Sequence, residues 1–174
     1  TGPVMAKGDI NKDGLDDLFV SGDRKNFGAV YVQKAAGKFS KAVDIYIGDE
    51  NSSSVAAAVF FDANGDGLDD LYVAMGGYAY WEPNTISLQD ELYINDGKGK
   101  LKLAKGMLPD VSASSKSCVR PCDFDKDGDL DLFVGGRVVP GKYPTAPKSY
   151  LLVNNGKGQF TEASIPFAEA GMVT

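Results

Sequence analysis

Three stretches of this chain repeat one oxygen-rich spacing. Asp9-Ile10-Asn11-Lys12-Asp13-Gly14-Leu15-Asp16-Asp17-Leu18, Asp62-Ala63-Asn64-Gly65-Asp66-Gly67-Leu68-Asp69-Asp70-Leu71 and Asp123-Phe124-Asp125-Lys126-Asp127-Gly128-Asp129-Leu130-Asp131-Leu132 all read D-x-[DN]-x-D-G-x-x-D-L. Carboxylate and amide oxygens at loop positions 1, 3, 5 and 9 suit a hard divalent cation. Calcium takes about 6–8 oxygen ligands at about 2.3–2.6 Å, from carboxylates, amides and backbone carbonyls. Alternation aims the odd positions inward, and glycine at position 6 permits the sharp turn that closes the loop. Position 7 gives its carbonyl, so its side chain is free to vary.

The expected ligands are therefore Asp9, Asn11, Asp13, the Leu15 carbonyl and Asp17 in the first loop. Asp62, Asn64, Asp66, the Leu68 carbonyl and Asp70 follow in the second, and Asp123, Asp125, Asp127, the Asp129 carbonyl and Asp131 in the third. The first two sites carry three carboxylates each and the third carries four, so the third is expected to bind most tightly. Calcium is favoured over magnesium, which gives up its waters reluctantly and rarely sits in an all-protein cage. A solvated turn explains any one Asp-rich loop. Three copies with the same ligands, the same glycine and the same following Leu argue for three Ca²⁺ sites. These are not EF-hands, which need a bidentate Glu at position 12 and flanking helices. Position 12 here is Val20, Val73 and Val134, each in an apolar stretch. Asp16 and Asp69, at position 8, are expected to face solvent.

The elements that hold these loops read as strands. A second signature trails each loop: Tyr93-Ile94-Asn95-Asp96-Gly97-Lys98-Gly99-Lys100-Leu101 matches Leu152-Val153-Asn154-Asn155-Gly156-Lys157-Gly158-Gln159-Phe160. Residues 31–39 form a weaker first copy, with Gln33 and Ala35 in place of Asn and Gly. Asn and Gly tolerate positive φ, so each is a hairpin turn. The expected strands are 4–8, 18–21, 29–33 and 38–43; then 55–61, 71–74, 91–95 and 100–104; then 117–122, 132–135, 150–154 and 160–163. No stretch has the 3.6-residue period of a long helix. Four strands per repeat of about 50–60 residues is the unit of a β-propeller blade.

The fold class expected is thus all-β: one partial propeller domain over residues 1–174, with blades near 1–54, 55–114 and 115–174. A self-contained β-sandwich is the alternative. Three blades are fewer than the roughly 4–8 of a closed ring. The chain opens on Thr1 rather than Met and stops where a fourth inner strand would begin. We therefore expect a segment of a larger ring, or a chain that completes its ring by self-association.

Composition removes several functions. The 43% apolar content supports a buried core. There is no histidine, which excludes Ser-His-Asp and Cys-His catalysis and His-ligated metals. Lys and Arg number 18 against 24 Asp and Glu, a formal charge of −6 that three divalent cations would offset. An acidic chain with no basic cluster argues against nucleic acid or an anionic membrane surface as partner, and no apolar run is long enough for membrane insertion. Cys118 and Cys122 are expected on one inner strand about 13 Å apart, too far for a disulfide unless a bend at Pro121 intervenes. Free buried thiols are the first reading and a local bridge the second. No catalytic constellation stands out.

With its acidic loops and N-x-G-x-G-[FL] turns, the chain resembles the FG-GAP/VCBS-like repeat family across essentially its whole length. Gly135-Gly136-Arg137-Val138-Val139-Pro140-Gly141 is similar to bacterial and extracellular-matrix members, although the Phe-Gly…Gly-Ala-Pro element is not present as such. The resemblance implies calcium loops D-x-[DN]-x-D-G-x-x-D on blades of a seven-bladed propeller, related to integrin α-subunit heads. It implies a secreted, cell-surface or periplasmic adhesion or recognition scaffold in which calcium is structural. The alternative it leaves open is the propeller module of a secreted polysaccharide-active lyase or hydrolase. In an up-and-down blade, loops alternate between two rims, so the longer loops lie opposite the calcium rim. There Tyr78, Tyr80, Trp81, Arg137 and Tyr143 are candidates for a protein or carbohydrate ligand. Packing under their own loops, or an Arg137 salt bridge to Glu82 or Asp90, is the plainer alternative.

Overall fold

The computed structural model describes residues 3–22, 28–47, 54–77, 84–164 and 166. Twelve strands make three four-stranded sheets. The first holds β1 (Met5–Gly8), β2 (Asp17–Val20), β3 (Gly28–Ala35) and β4 (Lys38–Ile45). The second holds β5 (Ser54–Phe61), β6 (Asp70–Gly76), β7 (Glu91–Asn95) and β8 (Leu101–Leu103). The third holds β9 (Ser115–Cys122), β10 (Asp131–Val138), β11 (Tyr150–Asn154) and β12 (Phe160–Ala163). Within each sheet the strands lie in chain order, every neighbour antiparallel. Each sheet is a blade of up-and-down strands. A 3-10 turn at Ile86–Leu88 is the one helical element among the described residues.

Period-two alternation explains how the blades stack. In the middle blade, Phe60, Leu71, Val73, Met75 and Tyr93 face Phe19, Val30 and Ile45 of the first. Their neighbours in sequence, Phe61, Tyr72, Ala74 and Leu92, face Val119, Leu132, Val134 and Tyr150 of the third. Every residue of β6 is buried, as expected for a strand covered on both faces. Two apolar layers between three blades replace the single layer of a two-sheet sandwich. The first strands converge, β1 against β5 and β5 against β9. At Gly8 a Cβ would lie 2.6 Å from the Phe60 Cβ, so glycine lets the first two blades close up.

The strand pattern follows the sequence, with local differences. The first hairpin is tighter than Gln33 and Ala35 suggest: Ala35 pairs with Lys38. Gly37 adopts φ 73°, and the Gln33 Oε1 accepts the Gly37 N–H at 2.8 Å, the task expected of Asn. No bend occurs at Pro121, which pairs in register with Leu132; the irregularity falls at Gly135–Gly136 instead. Proline is tolerated because β9 is an edge strand.

Candidate metal centre

The acidic loops are the connections β1–β2, β5–β6 and β9–β10, all at one rim. Their glycines at position 6 have positive φ: 83° at Gly14, 80° at Gly67 and 97° at Gly128. Position 4 is also left-handed, at Lys12 (56°), Gly65 (75°) and Lys126 (65°), a demand that its residue types do not advertise. These two reversals turn the odd side chains toward the loop interior. Asp9 accepts from the Asp13 and Gly14 amides at 3.1 and 2.8 Å. Asp62 accepts from Gly65 and Gly67 at 2.8 and 2.6 Å. Asn11 Oδ1 and Asn64 Oδ1 accept from Asp13 and Asp66 at 3.0 and 3.1 Å. Asp13, Asp66 and Asp127 each accept the amide of position 7, at 2.9, 2.8 and 2.9 Å.

The position-9 aspartates do more than their spacing indicates. Asp17, Asp70 and Asp131 are fully buried. One oxygen of each takes the position-2 amide of its own loop: Ile10 at 3.1 Å, Ala63 at 3.0 Å, Phe124 at 2.9 Å. The other takes a third-strand amide, Gln33, Asn95 or Asn154, at 2.8 Å in every case. Burial pushes the Asp17 and Asp70 carboxyls up, Asp70 to about 6, against the pull of those amides; the carboxylates at positions 1 and 5 add to the rise. Asp125 is likewise raised, by desolvation first and by Asp127 and Asp131 beside it.

The third loop gathers most tightly. Carboxylate oxygens of Asp123, Asp125 and Asp131 lie within 4.8 Å of one another, the one such acidic, Cys or His cluster among the described residues. Two ligands of one calcium stand at most about 5 Å apart, twice the metal–oxygen distance, so these residues fit the ion. All donors are hard oxygens, and an oxygen that already accepts one N–H keeps a second lone pair. Asp127 is outside this cluster. In the first two loops an Asn at position 3 leaves fewer carboxylates to converge.

Several expectations need correction. Asp16 is exposed and pairs with Lys7 at 2.6 Å, but Asp69 turns inward and accepts the Asp9 amide of the neighbouring blade at 2.9 Å. Asp90 pairs with Lys116, not Arg137. Cys118 and Cys122 are free, yet half-buried and exposed rather than buried. A basic cluster does exist: Lys34, Lys98, Lys100 and Lys102 line one groove of about 600 Å³ between the outer hairpins of the first two blades, beside Asn11. Of the candidate ligand-face residues, Tyr78, Tyr80 and Trp81 lie outside the described residues, as does Glu82. Arg137 is exposed at the end of β10, and Tyr143 is 69% exposed in the following loop.

The fold and rim together define an all-β repeat protein built of stacked antiparallel blades, each opening on an acidic loop. Residues 9–73, from the first loop through most of β6, match the FG-GAP-like repeat. No curated protein matches the chain. No helix among the described residues is long and apolar enough to cross a membrane.

Proposed function

We propose that the chain is a calcium-binding propeller segment that serves outside the cell as an adhesion or recognition scaffold, with calcium in a structural role. The observation that carries this reading is the convergence of Asp123, Asp125 and Asp131 within 4.8 Å. Bound calcium supplies the positive charge that offsets carboxylates held close together. The chain does the rest: odd-position side chains line the loop, and the position-9 aspartate ties it to its own third strand. Extracellular modules of this chemistry bind calcium at about 10⁻⁴–10⁻³ M, which matches a calcium-rich compartment. Calorimetric titration of the chelator-stripped chain tests it. Three equivalents of calcium with little response to magnesium is the expected result, and no uptake at millimolar calcium contradicts it.

Two features support the scaffold reading. Position 2 is covered at both internal interfaces, Ile10 at 1% and Ala63 at 0% exposure, whereas Phe124 on the outer face of the third blade is 55% exposed. Further blades of the same kind complete that face, so this chain alone should associate in solution; a strictly monomeric mass with calcium present speaks against it. The lysine-lined groove, with Val32, Val43 and Leu101 on its floor, suits an extended carboxylated or sulfated glycan. It holds no aromatic ring on which a nucleobase would stack. Binding to a sulfated polysaccharide that weakens in Lys98→Ala/Lys100→Ala supports this ligand class, and unchanged binding removes it.

A further inference from the structure

Asn95 and Asn154 end the third strands of successive blades and make the same set of bonds. The main-chain N–H of each donates to the position-9 aspartate of its own blade, at 2.8 Å in both. The side-chain amide donates to its own position-8 carbonyl, Asp69 or Leu130, at 3.2 Å. It then crosses the interface to the position-2 carbonyl of the preceding loop: Asn95 to Ile10 at 2.8 Å, Asn154 to Ala63 at 2.7 Å. Those position-2 residues are the ones whose N–H groups bind Asp17 and Asp70. The run is therefore unbroken: Asp131, Asn154, Ala63, Asp70, Asn95, Ile10, Asp17. Asn95 and Asn154 are 3% and 5% exposed, so water does not compete for these bonds.

We propose that this relay couples the acidic loops, so that filling one loop raises the cation affinity of the loop before it. Asn95 and Asn154 are positioning residues in it, not ligands. The proposal rests on the calcium reading above. Position 2 sits between the ligands at positions 1 and 3, so fixing its peptide plane fixes the approach of both neighbours. By linkage the effect is reciprocal. The first two loops share an additional bond, Asp69 Oδ2 to the Asp9 amide at 2.9 Å; position 8 of the third blade is Leu130, which offers no such acceptor. Coupling between the first and second loops is therefore the stronger of the two. In the first blade Gln33 takes the Asn position, and among the described residues its amide reaches its own Asp16 carbonyl, at 3.2 Å.

The test is a calcium titration of the full chain followed at the amides of Gly14, Gly67 and Gly128 by NMR, which reads each loop separately. Asp125→Ala, an exposed change, weakens the third loop and is expected to lower the affinity of the second by roughly fivefold or more. Asn154→Ala lowers second-loop affinity by a similar factor and abolishes the further effect of Asp125→Ala. Asn95→Ala acts in the same way on the first loop. Second-loop affinity equal in wild type and Asp125→Ala overturns the coupling even if Asn154→Ala does not fold. Equal effects of Asp125→Ala with and without Asn154 overturn the role of that residue. A wild-type chain that fills its loops independently overturns the coupling alone, whereas one that takes up no calcium overturns the calcium reading with it.

Discussion

The two blade interfaces share one asparagine link at the acidic rim, to which the first adds the Asp69–Asp9 bond, and they differ more at the opposite rim. At the acidic rim each is closed by an asparagine amide on the preceding loop. At the opposite rim the interface of the second and third blades buries a full ion pair. Lys116 Nζ lies 3.0 Å from Asp90 Oδ1, both side chains are 0% exposed, and Lys116 also donates to the Leu88 carbonyl. Asp90 further accepts from the Tyr72 hydroxyl and the Met75 amide, each at 2.7 Å. Among the described residues, the corresponding rim of the first interface carries the part-buried Tyr93 hydroxyl, whose one proton is shared between the Glu91 carboxylate at 2.6 Å and the Tyr46 carbonyl at 2.8 Å. What the second and third copies both spell, the asparagine ending the third strand, joins the blades at the acidic rim. What the repeat spells once decides how firmly a given pair is locked.

The comparison can be broken most forcefully at Lys116. Lys116→Ala strands a buried carboxylate and is expected to cost about 3–5 kcal/mol of stability, read by denaturant unfolding. Glu91→Gln at the other interface should cost about 1 kcal/mol or less. Comparable losses would mean that the two interfaces are locked alike. A smaller, symmetrical effect belongs to the shared rim: Asn95→Ala and Asn154→Ala should each cost about 1–3 kcal/mol, because each leaves a buried carbonyl without its donor. Clearly unequal costs would show that the two asparagine links are not equivalent. Among the loops, the third should release its calcium last on stepwise chelation, since three of its carboxylates already converge; its emptying first would reverse the order. The smallest change sharpens the loop geometry. Lys126→Gly relieves a left-handed residue worth about 1–2 kcal/mol against a glycine entropy cost of about 0.5–1, a net gain of about 0.5 kcal/mol in chemical denaturation.

Strands, hairpins and loop spacing were legible because each is written in local residue types: period-two apolar runs, Asn-x-Gly turns, and Asp at odd positions before an apolar strand. The position-6 glycines announced a positive φ that the backbone adopts. Less was legible wherever a partner is distant in sequence. Asn95 and Asn154 read as turn formers, and nothing local shows that their amides reach carbonyls in the neighbouring blade. Lys116 stands among serines that look like a linker, yet it is wholly buried because Asp90 lies across the interface. Asp69 has the same loop position as Asp16 but faces a second blade, which Asp16 does not. The lysine groove escaped notice because Lys34 and Lys98 come together only when two hairpins pack side by side. Cys118 and Cys122 share the face of β9 opposite the buried Val119, against which no described blade packs, so neither thiol is sealed in the core.

The most direct measurement is the thermal unfolding of this chain in millimolar calcium and in excess chelator. A ligand at tenfold its dissociation constant stabilises by about 1.4 kcal/mol per site, and a chain of this size shifts about 2–4 °C per kcal/mol. Three filled loops therefore predict a melting temperature on the order of 10 °C higher with calcium than without. Coincident melting curves in calcium and in chelator would contradict the account.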